Sequence, residues 1–106
     1  GVHALAHITG GGLTENPPRV LPEGMACEID LSTWTLPPVF RWLAETAGMS
    51  EPELLKTFNC GIGMMLVVKA DRAEALALML HDAGEKVVVM GHVVPGEGVI
   101  YKGKLL

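Results

Sequence analysis

The run His7-Ile8-Thr9-Gly10-Gly11-Gly12 is the part of this sequence best suited to holding a ligand. Three glycines between a strand and a helix let the backbone approach a small molecule closely, and the N–H groups freed there favour an anion. The run is not a dinucleotide fingerprint, because Glu15 stands where the third glycine belongs. No Lys-Ser or Lys-Thr pair follows a glycine, so it is not a P-loop either. A tight turn that needs positive φ explains three glycines equally well. Asn16 and Arg19 follow on the same short helix. An asparagine there could orient a substrate amide and an arginine could pair with phosphate; helix capping and a solvated charge are the competing roles. A second run, Phe58-Asn59-Cys60-Gly61-Ile62-Gly63-Met64, joins a helix to a strand. Asn59 suits a left-handed helix C-cap, and Gly61 and Gly63 permit close backbone approach. Cys60 reads as packing rather than as a nucleophile.

The remaining reactive residue types form no constellation. His3 and His7 lie four apart, but on a strand they stand ~13 Å apart at ~3.3 Å per residue, too far for one metal ion. Ala4 also replaces the glutamate of a helical zinc motif, so no metal site is expected. His7 beside the glycines is the histidine suited to touching a ligand, with a structural role as the alternative. His81 falls on the polar side of its helix, and His92 has no assigned role. Cys27 and Cys60 form no CxxC pair. They suggest a reducing compartment, with a single disulfide left open. No serine–histidine–acid set or carboxylate pair stands out.

These residues need elements to position them. Val2 to Thr9 reads as a strand running into the glycine turn, and Leu13 to Leu21 as a short helix opened by Pro17-Pro18. Met25 to Leu31 alternates as a half-buried strand, with Cys27, Ile29 and Leu31 on the inner side. Ser32 to Leu36 is a loop. Pro37-Pro38 opens a helix that Gly48 closes. Ser50 and Glu53 form a capping box for a helix over 51–58. Ile62 to Val68 is apolar enough for a strand buried on both faces. Asp71 and Glu74 suggest another capping box, ahead of a helix with Leu76, Met79, Leu80 and Ala83 in one stripe. Lys86 to Val94 is a strand broken at Gly91, Pro95 to Gly98 a tight turn, and Val99 to Lys104 a last strand with Tyr101 inward. The pattern predicts an α/β (α+β) fold: one domain over 1–106, with a mixed sheet of about four strands and helices packed on it.

Size and charge narrow the class. A chain of 106 residues is one domain and buries roughly two-thirds of its unfolded surface. Hydrophobic residues are 49% and charged ones 19%, below the usual ~25%, so apolar surface is left over for a partner or the interior is simply well filled. The net charge of −4, with only Lys102 and Lys104 clustered, argues against nucleic acid. No apolar run approaches the ~20 residues of a membrane span, and no signal peptide is visible. A cytoplasmic protein is expected. The first strand has no preceding element to pair with, which points to a missing piece supplied upstream or by another chain.

The run from Ala6 to Leu13, then Glu15-Asn16 and Pro18 to Pro22, resembles a signature of the aminoimidazole ribonucleotide synthetases. The run from Thr57 to Met64 is similar to a second signature of that family. Trp34, Pro38-Val39-Phe40 and Trp42-Leu43 also fit, and the resemblance covers the whole chain as the later part of the family's C-terminal domain. It implies that domain's fold and a phosphoribosyl substrate held by His7, Thr9, Gly10, Gly11, Gly12, Asn16, Arg19 and Asn59. It implies ATP and Mg²⁺ in the complete enzyme, held by an N-terminal half absent here, with none bound by this chain alone. The family's reaction uses ATP to activate the formyl oxygen of formylglycinamidine ribonucleotide, and an internal nitrogen then closes the imidazole. The resemblance leaves the chain inactive by itself, working with the N-terminal half or a separate partner, and as a homo-oligomer. Selenophosphate synthetase, thiamine phosphate kinase and hydrogenase-maturation proteins share the fold. A stand-alone binding or assembly module without catalysis is the reading from another class.

Overall fold

A computed structural model describes residues 2–106. The expected mixed sheet of about four strands is five strands in two sheets. β1 (Val2–His7) pairs antiparallel with β3 (Met64–Val68), with His7 opposite Met64 and Leu5 opposite Leu66. β2 (Met25–Asp30) is the centre of the second sheet. It runs antiparallel to β4 (Gly91–Pro95) and parallel to β5 (Val99–Lys102), so this sheet is the mixed one. Cys27, Ile29 and Leu31 are buried as their alternation requires, and Ala26 is buried too.

Helix α1 (Gly12–Glu15) is a single turn continued by a 3-10 turn over Pro17–Val20. The prolines set φ for that turn and need no N–H there. Helix α2 (Pro38–Ala47) starts at the predicted proline and stops at Gly48, whose φ of 67° is left-handed. Helix α3 (Glu51–Thr57) has the predicted cap: Ser50 Oγ accepts from the Glu53 N–H at 3.4 Å and donates to its carboxylate at 3.1 Å. Helix α4 (Ala73–Asp82) lacks the predicted one. The chain enters it through a 3-10 turn over Ala70–Arg72, which makes Arg72 the cap residue and leaves Asp71 outside the helix.

Three further expectations change. β3 is not buried on both faces: only Met65 is buried, and Met64 is 52% exposed. The stripe of α4 that turns inward is Ala73, Leu76, Ala77 and Leu80, while Met79 is 59% exposed. The strand expected from Lys86 is regular only from Gly91, where a Cβ would run into the Glu28 carbonyl. The core gathers Ile8, Leu13, Ile29, Leu31, Leu54, Leu55 and Cys60 between α1, α3 and β2. Among the described residues, no helix is long and apolar enough to cross a membrane.

Candidate functional site

The glycine turn is built from within. Gly11 and Gly12 have φ of 99° and 60°, which L side chains rarely adopt. The Gly12 N–H donates to the Thr9 carbonyl at 2.9 Å, and the Glu15 N–H donates to Gly11 at 3.1 Å. Asn16 sits beneath, only 6% exposed. Its Nδ2 donates toward the carbonyls of Thr9 (3.1 Å), Gly10 (3.3 Å) and Gly12 (2.9 Å), and its Oδ1 accepts from Thr9 Oγ1 at 3.3 Å. Both amide hydrogens are therefore engaged inside the turn. Asn16 faces inward and holds the loop's shape, where the sequence left a substrate contact open.

The glycines differ in what they permit. A Cβ on Gly12 would meet the carbonyl oxygens of Leu55 and Phe58, so this glycine lets α1 pack on α3. A Cβ on Gly11 would press on the Glu15 side chain, whose carboxylate folds over that side of the turn. Gly10 alone has no heavy atom within 4 Å of that position and opens to solvent. An anion approaching the turn has room at Gly10, with exposed Thr9 beside it. His7 is exposed at the end of β1, and Arg19 is exposed on the 3-10 turn, where its N–H donates to the Asn16 carbonyl at 3.2 Å.

The second run lies against the first. The Ile8 N–H donates to the Gly63 carbonyl at 3.0 Å, so the strand before the glycine turn pairs into the strand after the Asn59 turn. Asn59 is not the left-handed cap that its type suggested. Phe58 caps α3 with an extended backbone, and Asn59 Oδ1 instead accepts the Gly61 N–H at 2.8 Å. Cys60 takes the positive φ, 54°, followed by Gly61 at 97°. With the Ile62 N–H donating to the Asn59 carbonyl at 3.0 Å, this is a tight turn with both central residues left-handed. The Trp34 indole N–H donates to the Cys60 carbonyl at 3.0 Å, and the Phe40 and Phe58 rings meet at a tilt of 53° with centroids 5.9 Å apart. Cys60 is fully buried, and burial first, then the Glu51 carboxylate, pushes its thiol up to about 11. A proton held that tightly suits packing, not nucleophilic attack. Cys27 is raised by burial as well, and both cysteines are free thiols.

Sequence reasoning missed several ties. Thr14 Oγ1 and Tyr101 Oη share a hydrogen bond of 2.9 Å that links the glycine turn to β5; burial pushes Tyr101 up to about 12. The Glu51 carboxylate accepts the N–H groups of Leu105 (2.8 Å) and Leu106 (2.9 Å), and Arg41 donates to the Leu105 carbonyl at 3.0 Å. Glu28 and Lys102 pair at 2.9 Å, with His92 opposite Glu28 on β4. No spacing rule reaches such distant partners. Among the described residues, no three His, Cys, Asp or Glu side chains gather to hold a metal ion.

A family model described as AIR synthase related protein, C-terminal domain, matches residues 1–104. A solved structure of thiamine-monophosphate kinase from Stenotrophomonas maltophilia K279a is similar in fold, with a TM-score of 0.68 at 16% identity. The likeness covers 99% of this chain and 33% of that one, so the chain spans a third of the kinase's length.

Proposed function

The chain belongs to the AIR synthase related family through its C-terminal domain, and from that premise we propose that it is the C-terminal part of an ATP-dependent aminoimidazole ribonucleotide synthetase. At 16% identity the kinase likeness bears on fold alone. The observation that carries the reading is the meeting of the two motif runs. They are far apart in sequence, yet Gly12 packs on the carbonyls of Leu55 and Phe58, and Ile8 bonds to Gly63. Both runs therefore shape one corner of the fold, as a shared substrate site requires.

In this reading the open side of the turn at Gly10 receives the phosphate of a phosphoribosyl substrate. Backbone N–H groups and Thr9 contact it, and Arg19 and His7 supply charge and hydrogen bonds from the rim. Asn16 preorganises that loop, and Gly11 and Gly12 give it its shape; Asn59 shapes the neighbouring turn. ATP and its Mg²⁺ supply the activation of the formyl oxygen from an N-terminal half. This chain contributes binding and orientation, works with the polypeptide that carries that half, and assembles as a homo-oligomer in the cytoplasm.

The test is reconstitution. The chain alone is expected to give no turnover of formylglycinamidine ribonucleotide. Mixed with a polypeptide that supplies the nucleotide-binding half, it should give ATP-dependent formation of aminoimidazole ribonucleotide. Gly10→Val keeps the fold and should raise the substrate KM by ten-fold or more. Turnover by the chain alone, or none from the mixture, refutes the reading.

A further inference from the structure

The exposed face of β1 runs directly into the glycine turn. Ala6 and Ile8 are each only 3% exposed, while Leu5 and His7 are exposed. Successive strand residues alternate in face, so Leu5 and His7 share the outer side. Exposed Thr9 and Gly10, the open glycine of the turn, follow two and three residues on. β3 adds a second row to that side. Met64 is directly opposite His7, and Leu66 is opposite Leu5; such pairs stand ~5 Å apart on a common face. The neighbouring Met65 is buried, as the alternation requires. Met64 is 52% exposed and Leu5 is 55% exposed. Apolar side chains exposed singly need no explanation. These two sit in adjacent cross-strand pairs, and their row ends at the candidate anion turn. The Ile8 N–H bond to the Gly63 carbonyl, 3.0 Å, fixes Met64 beside that turn.

We propose that Met64, with Leu5 behind it, is the platform for the non-phosphate end of the ligand: the flat amidine arm or imidazole ring of a phosphoribosyl compound. The assignment rests on the phosphate position proposed above. From Gly10 back to the His7–Met64 pair is three residues, at most ~10 Å at ~3.3 Å each. A ribose carrying a small ring or arm bridges that distance. Methionine suits the role, because its unbranched thioether adapts to what lies on it and its polarisable sulfur packs well against a π-system. His7, across the pair, meets the polar edge of the same group. Two exposed apolar side chains bounded by His7 and glycine backbone fall well short of the roughly 800 Å² per partner of a stable protein interface. A small molecule is therefore the fitting occupant.

NMR of the chain labelled at its backbone amides and methionine methyls tests this with three probes: inorganic phosphate, ribose 5-phosphate and aminoimidazole ribonucleotide. All three should shift the Gly10 amide. Only aminoimidazole ribonucleotide should also shift the Met64 methyl, while the methyl of Met79, 59% exposed on α4, stays still. Met64→Ala should weaken aminoimidazole ribonucleotide about five-fold and leave ribose 5-phosphate unchanged. Met64→Leu, which keeps the apolar surface, should recover most of that loss. Both substitutions are on an exposed side chain and should leave the fold intact. A Gly10 shift with the Met64 methyl unmoved overturns the platform and spares the phosphate position. Movement of Met64 without Gly10 does the reverse, and no shift with any probe sinks both. Equal weakening of both sugar phosphates by Met64→Ala would reveal a merely structural role and overturn the proposal. A Met64 shift that follows chain concentration with no probe present would assign this face to a second copy, which also overturns it.

Discussion

Replacing Asn16 by aspartate asks whether this residue holds the loop or holds a ligand. The two side chains have the same shape, but the carboxylate has no hydrogens to give. In the native turn two N–H groups serve three carbonyls at 2.9, 3.1 and 3.3 Å. Two of those oxygens keep another partner, since Thr9 also accepts from the Gly12 N–H and Gly12 from the Asn16 backbone N–H. Deleting the amide in Asn16→Ala therefore strands little, and at about 1 kcal/mol net per hydrogen bond it should cost about 2 kcal/mol. Asn16→Asp should cost more at neutral pH, because it aims a charge at carbonyl oxygens in a site only 6% exposed. That charge raises the new carboxyl's pKa, and each unit of rise adds about 1.4 kcal/mol. A rise of two units brings the total to about 5 kcal/mol, near the whole stability of many domains. The protonated form can donate one hydrogen bond, so the folded variant binds a proton more readily than the unfolded one. Its deficit should grow as pH rises from 5 to 8. Urea unfolding followed by tryptophan fluorescence, at both pH values and for both variants, measures this. A variant as stable as the parent at pH 8, with its loss confined to substrate affinity in the reconstituted enzyme, would falsify the structural role.

Gly12→Ala should destabilise by about 3 kcal/mol, combining a left-handed backbone with a Cβ driven into two carbonyls, whereas Gly10→Ala should stay within about 0.5 kcal/mol; equal melting temperatures for the two would contradict this. The Cys60 thiol ionises near 9.0 when unfolded but only at about 11 when folded, so the folded state holds the extra proton between those values and stability should fall as pH rises through that window. A urea midpoint that is level from pH 8 to 10.5, or unaltered in its pH slope by Cys60→Ala, would count against it. Glu51→Ala removes the acceptor of two tail N–H groups and should speed amide exchange at Leu105 and Leu106 about ten-fold; unchanged exchange would mean that Arg41 and the burial of Leu105 suffice.

The sequence by itself determined the elements whose signals act within a turn. Pro38 and Gly48 bound α2, Ser50 and Glu53 cap α3, and the alternation of Cys27, Ile29 and Leu31 sets the inner face of β2. Each is decided by the chain's own dihedrals and near neighbours. It also located the glycine turn and the Asn59-to-Gly63 turn, because glycines at such density have few other uses. Only the tertiary structure decided which way Asn16 faces, since its partners include carbonyls six and seven residues back, reached by the turn's particular curl. Only packing gave the left-handed position to Cys60 rather than Asn59: the extended cap at Phe58 and the Asn59 side chain bonded to Gly61 moved the turn on by one residue. β3 and the segment from Lys86 carry strand-forming sequences, but a strand is completed by what lies beside it. Among the described residues β3 pairs with β1 alone, and regular pairing beside β2 begins only at Gly91.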